Sequence, residues 1–401
     1  MSYIEYTVRS PWEWVLERVE SDVPMKRCGN SKEMASAMLA PTPNTRRKLN
    51  QKKGPQPCTL RLDVVDEDGK LIEAHHGTSS ALNGLEDKDE LVRTFQRCRA
   101  VDLGITPPSS LIRWDATLQE CQNVIKNLPT LETNSTHTIA VLKEPIGSRG
   151  EGIYFVSSVQ EIFELLEKNR KQAVKEGEDF LDTIMEQKGR IPSWVLQAEV
   201  HPPLLIRGER KFHIRSYVVG TECLEENHLL NLYVYNRHEV RIAAMPVPDG
   251  DGVRDPMAHI TNGSVNGGTS TQRVIMDTVE ELGHRQQALE HFLANAVTTL
   301  LPDITRRVAY ASTEQPPEIQ KHIMSGFDIM MTSDYRFYIL EVNVNPAAPS
   351  EATASEDFTK HLVGFMTDLK SLVLGHSSPN FVITDEILQR GPGGANGAAA
   401  R

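Results

Sequence analysis

The chain has 401 residues, 39% hydrophobic and 24% charged, a balance that is ordinary for a folded globular protein and long enough for two or three packed units. Its formal net charge of −11 argues against a general nucleic-acid binder, because a phosphate backbone calls for a basic surface. No apolar run approaches membrane-spanning length, the start from Met1 to Thr7 lacks a signal-peptide pattern, and five scattered cysteines without a Cys-x-x-Cys pair read as reduced thiols of a soluble, cytoplasmic protein.

In chain order, Pro11 followed by Trp12, Trp14 and Val15 predicts a first helix, and residues 41–57, with Arg46, Arg47, Lys48, Lys52 and Lys53, read as a basic loop. Alternation of Leu60, Leu62 and Val64 before Asp68-Gly69 predicts a hairpin over 59–73. Helical patterns follow at 86–99 and at 116–126, the second capped by Asp115, and an amino-terminal domain ends near residues 106–110. A strand at 138–143 then runs into a loop carrying Gly147, Gly150 and Gly152 and out into a strand at 153–156. Such a loop fits either a plain hairpin turn or a cover for a triphosphate, to which Lys143 and Arg149 would add charge. It is not a Walker loop.

Ser158 and Glu161 form a capping box for a charged helix reaching about residue 188, and residues 194–200 read as a strand. In the next strand, 211–219, Lys211, His213 and Arg215 share one face, where burial together would be repulsive unless an anionic ligand relieves it. Strands at 229–236 and 240–245 continue the sheet, a polar loop spans 249–268, and a long helix is predicted over 277–301. Two strands, 327–332 and 336–344, make a hairpin turning at Ser333 and Asp334, followed by a helix at 355–374 and a disordered tail at 391–401.

In that hairpin, strict alternation puts Phe337, Ile339, Glu341 and Asn343 on one face, with Asp328 opposite Ile339 and diagonal to Glu341. The charged face is either simply solvated or a group of two carboxylates and an amide oxygen of the kind that suits Mg²⁺.

Lys143 to Ile153, Gln197 to Val200, Lys211-Phe-His-Ile-Arg215, Arg241, His259-Ile-Thr-Asn262 and Gly326-Phe-Asp328 through Glu341-Val-Asn343 occur in the order and approximate spacing of the tubulin-tyrosine ligase family, within the ATP-grasp superfamily. The resemblance covers about residues 111–374. It implies an α/β (α+β) ATP-grasp fold with the nucleotide held between two sheet-containing lobes: a divergent amino-terminal α/β domain at 1–110, a central lobe at 111–200, a carboxy-terminal lobe at 201–390 and a tail at 391–401. It further implies that Lys143, Arg149, Gly150 and Gly152 hold phosphates, that Gln197, Glu199 and Val200 line the adenine hinge, and that Lys211 touches the γ-phosphate. Thr261 and Asn262 would lie near the nucleotide, with His213 at the position of a family Asp. Arg215 and Arg241 would hold the acceptor carboxylate or the incoming amino acid, and Asp328, Glu341 and Asn343 would hold Mg²⁺.

The implied activity is ATP-dependent amide-bond formation through an acyl phosphate, adding a free amino acid to tubulin or another acidic-tailed protein, with no nucleic acid or membrane partner and a cytoskeletal association. Two other readings stand beside it. His213 favours a catalytically impaired regulator that binds ATP or tubulin, and the superfamily also contains ligases of small peptides.

Overall fold

The computed structural model describes residues 3–9, 12–19, 25–27, 59–65, 71–76, 85, 87–126, 128, 140–145, 150, 152–176, 191, 193–223, 229–248, 255–261, 272–311, 320–344, 346, 348–349 and 354–390. The elements begin with β1 (Tyr3–Arg9), α1 (Glu13–Leu16), β2 (Met25–Arg27), β3 (Thr59–Val65), β4 (Leu71–His76), α2 (Lys88–Arg97), β5 (Ser109–Ile112) and α3 (Leu118–Lys126). There follow β6 (Ala140–Lys143), β7 (Ile153–Val156), α4 (Val159–Glu176), β8 (Trp194–Gln197), β9 (Phe212–Cys223), β10 (Leu229–Tyr235), β11 (Glu239–Ile242), α5 (Pro256–His259) and β12 (Gln272–Ile275). The chain continues with α6 (Gln286–Ala311), β13 (Gln320–Met331), β14 (Phe337–Val344), α7 (Glu356–Val373), β15 (Phe381–Ile383) and α8 (Thr384–Arg390).

These form an α+β, ATP-grasp-like fold with two sheets. The larger is built on β9 and β13, two antiparallel strands of 12 residues each. Each is long enough to pair with two strands end to end on its outer side. β11 and then β12 extend the sheet from the start of β9, and β10 and β15 from its second half. β14 pairs with the second half of β13, and β4 with its start, carrying β3, β1 and β2 beyond it. The smaller sheet has the order β5-β8-β6-β7.

Side-chain parity separates the two faces of the larger sheet. Phe212, Ile214, Val240, Phe327 and Ile329 enter a core with Leu289, Leu293 and Val297 of α6, while Tyr217, Val219, Tyr235 and Met324 enter another with Phe358, Leu362 and Phe365 of α7. A third core beneath the smaller sheet joins Leu142, Trp194 and Leu196 to Cys121 of α3 and to Ile162 and Leu166 of α4. Full burial of side chains of this size contributes on the order of 1.5–3 kcal/mol each.

Local sequence rules account for most ends and miss some. Ser158 accepts from the Glu161 N–H at 3.1 Å and Glu161 returns a bond to the Ser157 N–H at 2.9 Å, which starts α4; its predicted extension to residue 188 lies outside the described residues. For α3 the cap is Thr117 rather than Asp115: Thr117 and Glu120 bond reciprocally, and Asp115 is taken by Arg113. The predicted helix over 277–301 starts late, since short 3-10 turns at 276–278 and 283–285 precede α6, which runs on to Ala311. The predicted hairpin over 59–73 is the antiparallel pair β3 and β4, its turn falling outside the described residues, as do the basic loop at 41–57 and the tail. Among the described residues no helix is long and apolar enough to cross a membrane.

Candidate functional site

The side chains that β14 offers are set by a bulge. Asp328 pairs with Glu341 and Ile329 with Ile339, so Leu340 is an extra residue without a partner on β13. Parity switches there: Phe337 and Ile339 enter the α6 core together with Val342 and Val344, and Glu341 and Asn343 face the other way. The expectation that Phe337, Ile339, Glu341 and Asn343 share a face, with Asp328 opposite Ile339, is therefore corrected, because uninterrupted alternation has no place for an inserted residue. The bulge also frees backbone groups. The Ile339 N–H donates to the Ile105 carbonyl at 2.8 Å, the Ile339 carbonyl accepts from the Thr106 hydroxyl at 3.0 Å, and the Leu340 carbonyl accepts from Lys143 Nζ at 3.4 Å.

A cleft opens between the sheets at this bulge. Val141, Lys143, Ile153, Phe155 and Gln197 line it from the smaller sheet, and Lys211, His213, Asp328, Met330, Leu340 and Glu341 from the larger. Ala198, Glu199, Val200, His259, Ile260 and Thr261 close it from the connections. An apolar slot thus adjoins a charged end.

Lys143 is buried, donating to Gln197 Oε1 at 2.8 Å. Burial pushes its ammonium down to about 8, opposed in part by Glu341. Lys211 donates to Glu199 Oε1 at 2.8 Å and to His259 Nδ1 at 2.7 Å, and lies 5.9 Å from the centre of the Phe155 ring. Since an ammonium only donates, His259 carries its proton on Nε2, a buried donor with no partner among the described residues. Burial and then Lys211 push this imidazole down to about 4, so it is neutral.

Behind the cleft two guanidiniums are matched to two carboxylates. Arg215 Nε and Nη2 donate to Asp328 at 2.5 and 2.9 Å, and Asn343 Nδ2 donates to Asp328 Oδ2 at 3.2 Å. Burial would raise the Asp328 carboxyl, but the Arg215 guanidinium overrides it and holds it well below the usual range. Gly326 makes room for this arginine: a Cβ there would stand 2.8 Å from Arg215 Cδ and 3.0 Å from Pro346 Cγ. One strand over, Arg241 donates twice to Glu239 Oε2, at 3.0 and 3.3 Å, and the Tyr217 hydroxyl donates to Glu239 Oε1 at 2.5 Å. The repulsion predicted among Lys211, His213 and Arg215 is thus relieved by Glu199 and Asp328, without a ligand. His213 bonds Thr261 through Nδ1 and faces Asp328 with Nε2 at 3.4 Å, and burial favours its neutral form.

Of the predicted residues, Lys143, Gln197, Glu199, Val200, Lys211, His213, Thr261, Asp328 and Glu341 line the cleft together. Asn343 and Arg215 are held on Asp328, and Arg241 pairs with His213 in the β9–β11 ladder. Gly150 and Gly152 turn the chain into β7 with φ of 87° and 70°. Arg149 and Asn262 lie outside the described residues. Asp328 and Glu341 in direct register, with the Asn343 amide two residues on, supply hard oxygen atoms of the kind Mg²⁺ takes, and they fit that ion in donor type. Among the described residues no three His, Cys, Asp or Glu side chains gather as a metal cluster, so water and phosphate would complete the shell.

A family model described as the tubulin-tyrosine ligase family matches residues 93–372, well over half of the chain. The chain belongs to the tubulin-tyrosine ligase family. It is similar to tubulin monoglutamylase TTLL4 of Mus musculus, 25% identical over 198 residues that make up 45% of this chain and 16% of that protein. A probable tubulin–tyrosine ligase of Schizosaccharomyces pombe is 26% identical over 244 residues, 54% of this chain and 55% of that protein. Tubulin monoglycylase TTLL3 of Homo sapiens is 23% identical over 257 residues, 60% of this chain and 30% of that protein. The match therefore spans between 16% and 55% of these relatives' length.

Tyr217 and Glu239 of the site, and Arg273, which pairs with Arg241 across β11 and β12, were not read from the sequence. Tyr217 follows Arg215 by two residues and shares its face, a signal that period-two alternation carries. Glu239 precedes the predicted strand start by one residue, so its pairing with Arg241 went unseen. Arg273 sits on β12, a four-residue strand that follows a polar loop and has no periodicity to announce it.

Proposed function

We propose that this family member is an ATP-dependent carboxylate–amine ligase that adds an amino acid to a protein acceptor, either a tubulin tail or another acidic-tailed chain. The observation that carries this reading is the meeting, in one cleft, of the buried Lys143 and Lys211 and the His259 N–H, unpartnered among the described residues, with the facing carboxylates Asp328 and Glu341. A polyphosphate would favour the charged form of Lys143, which burial disfavours, and would satisfy His259 Nε2. The flat base would occupy the apolar slot beside Val141, Ile153 and Met330.

A carboxylate is a poor acyl donor. Transfer of the terminal phosphoryl group of ATP to the acceptor carboxylate gives an acyl phosphate and ADP, and attack by the amine gives the amide and releases phosphate. Positioning and charge neutralisation supply the catalysis, and these are what Lys143, Lys211 and the two arginines provide. Bound Mg²⁺ on Asp328, Glu341 and Asn343 would screen the phosphate charge.

One observation favours a second reading, a regulator that binds nucleotide without ligation: His213 is neutral, and both oxygens of Asp328 already accept hydrogen bonds. The two separate on incubation with ATP, magnesium, tubulin and labelled amino acids, followed by mass spectrometry of the tails. Incorporation that Glu341→Gln abolishes supports the ligase, whereas tight ATP binding without incorporation on any acceptor supports the regulator.

A further inference from the structure

Among the described residues, the arginine patch behind the cleft contains one guanidinium, that of Arg273, to which no carboxylate is hydrogen-bonded. On the larger sheet, β12, β11 and β9 place Arg273, Arg241 and His213 in one cross-strand row, since Arg273 pairs with Arg241 and Arg241 with His213. The neighbouring row brings Glu239, Arg215, Asp328 and Glu341 into register. Arg215 holds both oxygens of Asp328. Glu239 is likewise bonded at both oxygens, Oε2 twice by Arg241 and Oε1 by Tyr217. Arg273 is close enough to help hold the Glu239 carboxyl down near 2, yet among the described residues it is Arg241 and Tyr217, not Arg273, that hydrogen-bond to that carboxylate.

Arg273 therefore stands half-buried, directly opposite a like charge, with its Nη1 atom buried and without a hydrogen-bond partner among the described residues. Burial, and then Arg241, push its pKa down to about 10. An unmatched guanidinium in such a place is costly unless an anion joins it. Its position is also suited to delivery. β12 is the edge of the larger sheet among the described residues, so the row runs from an open edge inward to His213 on the cleft, a distance of about 10 Å at two strand spacings.

We propose that Arg273, with Arg241 beside it, binds a substrate carboxylate at the sheet edge and so presents that substrate to the cleft. The inference rests on the ligase reading for the identity of the substrate, a free amino acid or the acidic acceptor, and on the geometry alone for the carboxylate. A planar carboxylate matches the two-pronged guanidinium, which a point charge does not reproduce. Arg215 and Arg241, singled out from the sequence, are the less available of the three, because each already carries its own carboxylate.

The test uses the full chain with ADP and magnesium bound. L-glutamate, glycine, L-tyrosine and a glutamate-rich peptide with a free carboxyl terminus are each titrated calorimetrically into the wild type, Arg273→Gln and Arg273→Lys, and ATP affinity is measured alongside. We expect Arg273→Gln to weaken carboxylate binding at least tenfold while ATP affinity stays within twofold, and Arg273→Lys to recover part of the loss. A loss confined to the free amino acids assigns the incoming substrate, and one confined to the peptide assigns the acceptor. Binding that depends on Arg273 in a chain that performs no ligation keeps this site and overturns the ligase reading. The proposal is overturned if the wild type binds none of the four, if all are bound equally by the three proteins, or if ATP affinity falls in step with carboxylate affinity in both variants.

Discussion

Asp328 and Glu341 stand directly opposite one another across β13 and β14, yet Asp328 is bonded twice by Arg215 whereas Glu341 acts on Lys143 only through its charge. Glu341 is half-buried and accepts no hydrogen bond among the described residues. The two carboxylates should therefore respond differently to loss of charge. Asp328→Asn leaves a buried guanidinium uncompensated and should cost about 3–5 kcal/mol of stability, whereas Glu341→Gln should cost less than about 1 kcal/mol. Both should weaken magnesium-dependent nucleotide binding. Urea unfolding and calorimetric titration of each variant check this, and equal stability losses would contradict the assignment. The Asp328 carboxyl lies below its usual value, so the pair stabilises the fold above the unfolded carboxyl range near 3.8 and its contribution is lost as pH falls through the depressed value. Asp328→Asn should flatten that acid limb.

Gly326 is a second handle on the same arginine. Gly326→Ala brings a methyl group within 2.8 Å of Arg215 Cδ and 3.0 Å of Pro346 Cγ, so the arginine stem must shift. Overpacking of this kind costs about 1–3 kcal/mol. Catalytic turnover should fall further than ATP affinity, because Lys143 and Lys211 are untouched. Steady-state kinetics beside calorimetry read the split, and a parallel loss of both would mean the cleft as a whole had collapsed.

His213 tests the charge balance of the patch. Three guanidiniums, Arg215, Arg241 and Arg273, face two matched carboxylates, Asp328 and Glu239, so a further negative charge at position 213 has a cation to meet. His213→Asp should lower stability by less than about 1 kcal/mol and should tighten magnesium-dependent ATP binding by adding a hard oxygen beside Asp328. Unchanged affinity would show that position 213 has no part in metal or phosphate binding.

The cleft was legible in the sequence wherever a strand kept strict alternation. His213 and Arg215 share a face of β9 as read, with Lys211 one residue before its start, and the capping box at Ser158 and Glu161 starts its helix. What alternation cannot carry is an inserted residue: the bulge at Leu340 moved Glu341 and Asn343 to the face opposite Ile339, and so to the cleft. Ion pairing was equally out of reach, because Asp328 and Arg215 are 113 residues apart and only the β9–β13 register brings them together. Arg273 was missed for the same reason, since its meaning comes from the unmatched charge of a cross-strand row rather than from its neighbours in sequence.

Lys143 gives the cleft a pH dependence. Burial holds its ammonium near 8 in the free protein, and bound phosphate favours the charged form, so the pKa rises on binding. Binding therefore takes up a proton once the free lysine has begun to lose its own, and affinity should fall as pH rises through about 8, approaching tenfold per pH unit until the bound-state value is reached. The nucleotide's last phosphate proton titrates near 6 and leaves this window clear. Nucleotide dissociation constants measured from pH 6.5 to 9.5 should show the decline in the wild type. Lys143→Gln should bind more weakly at every pH with a flat profile, and Lys143→Arg should flatten the profile while keeping most of the affinity. A wild-type curve that stays level across that range would remove Lys143 from the phosphate-binding group.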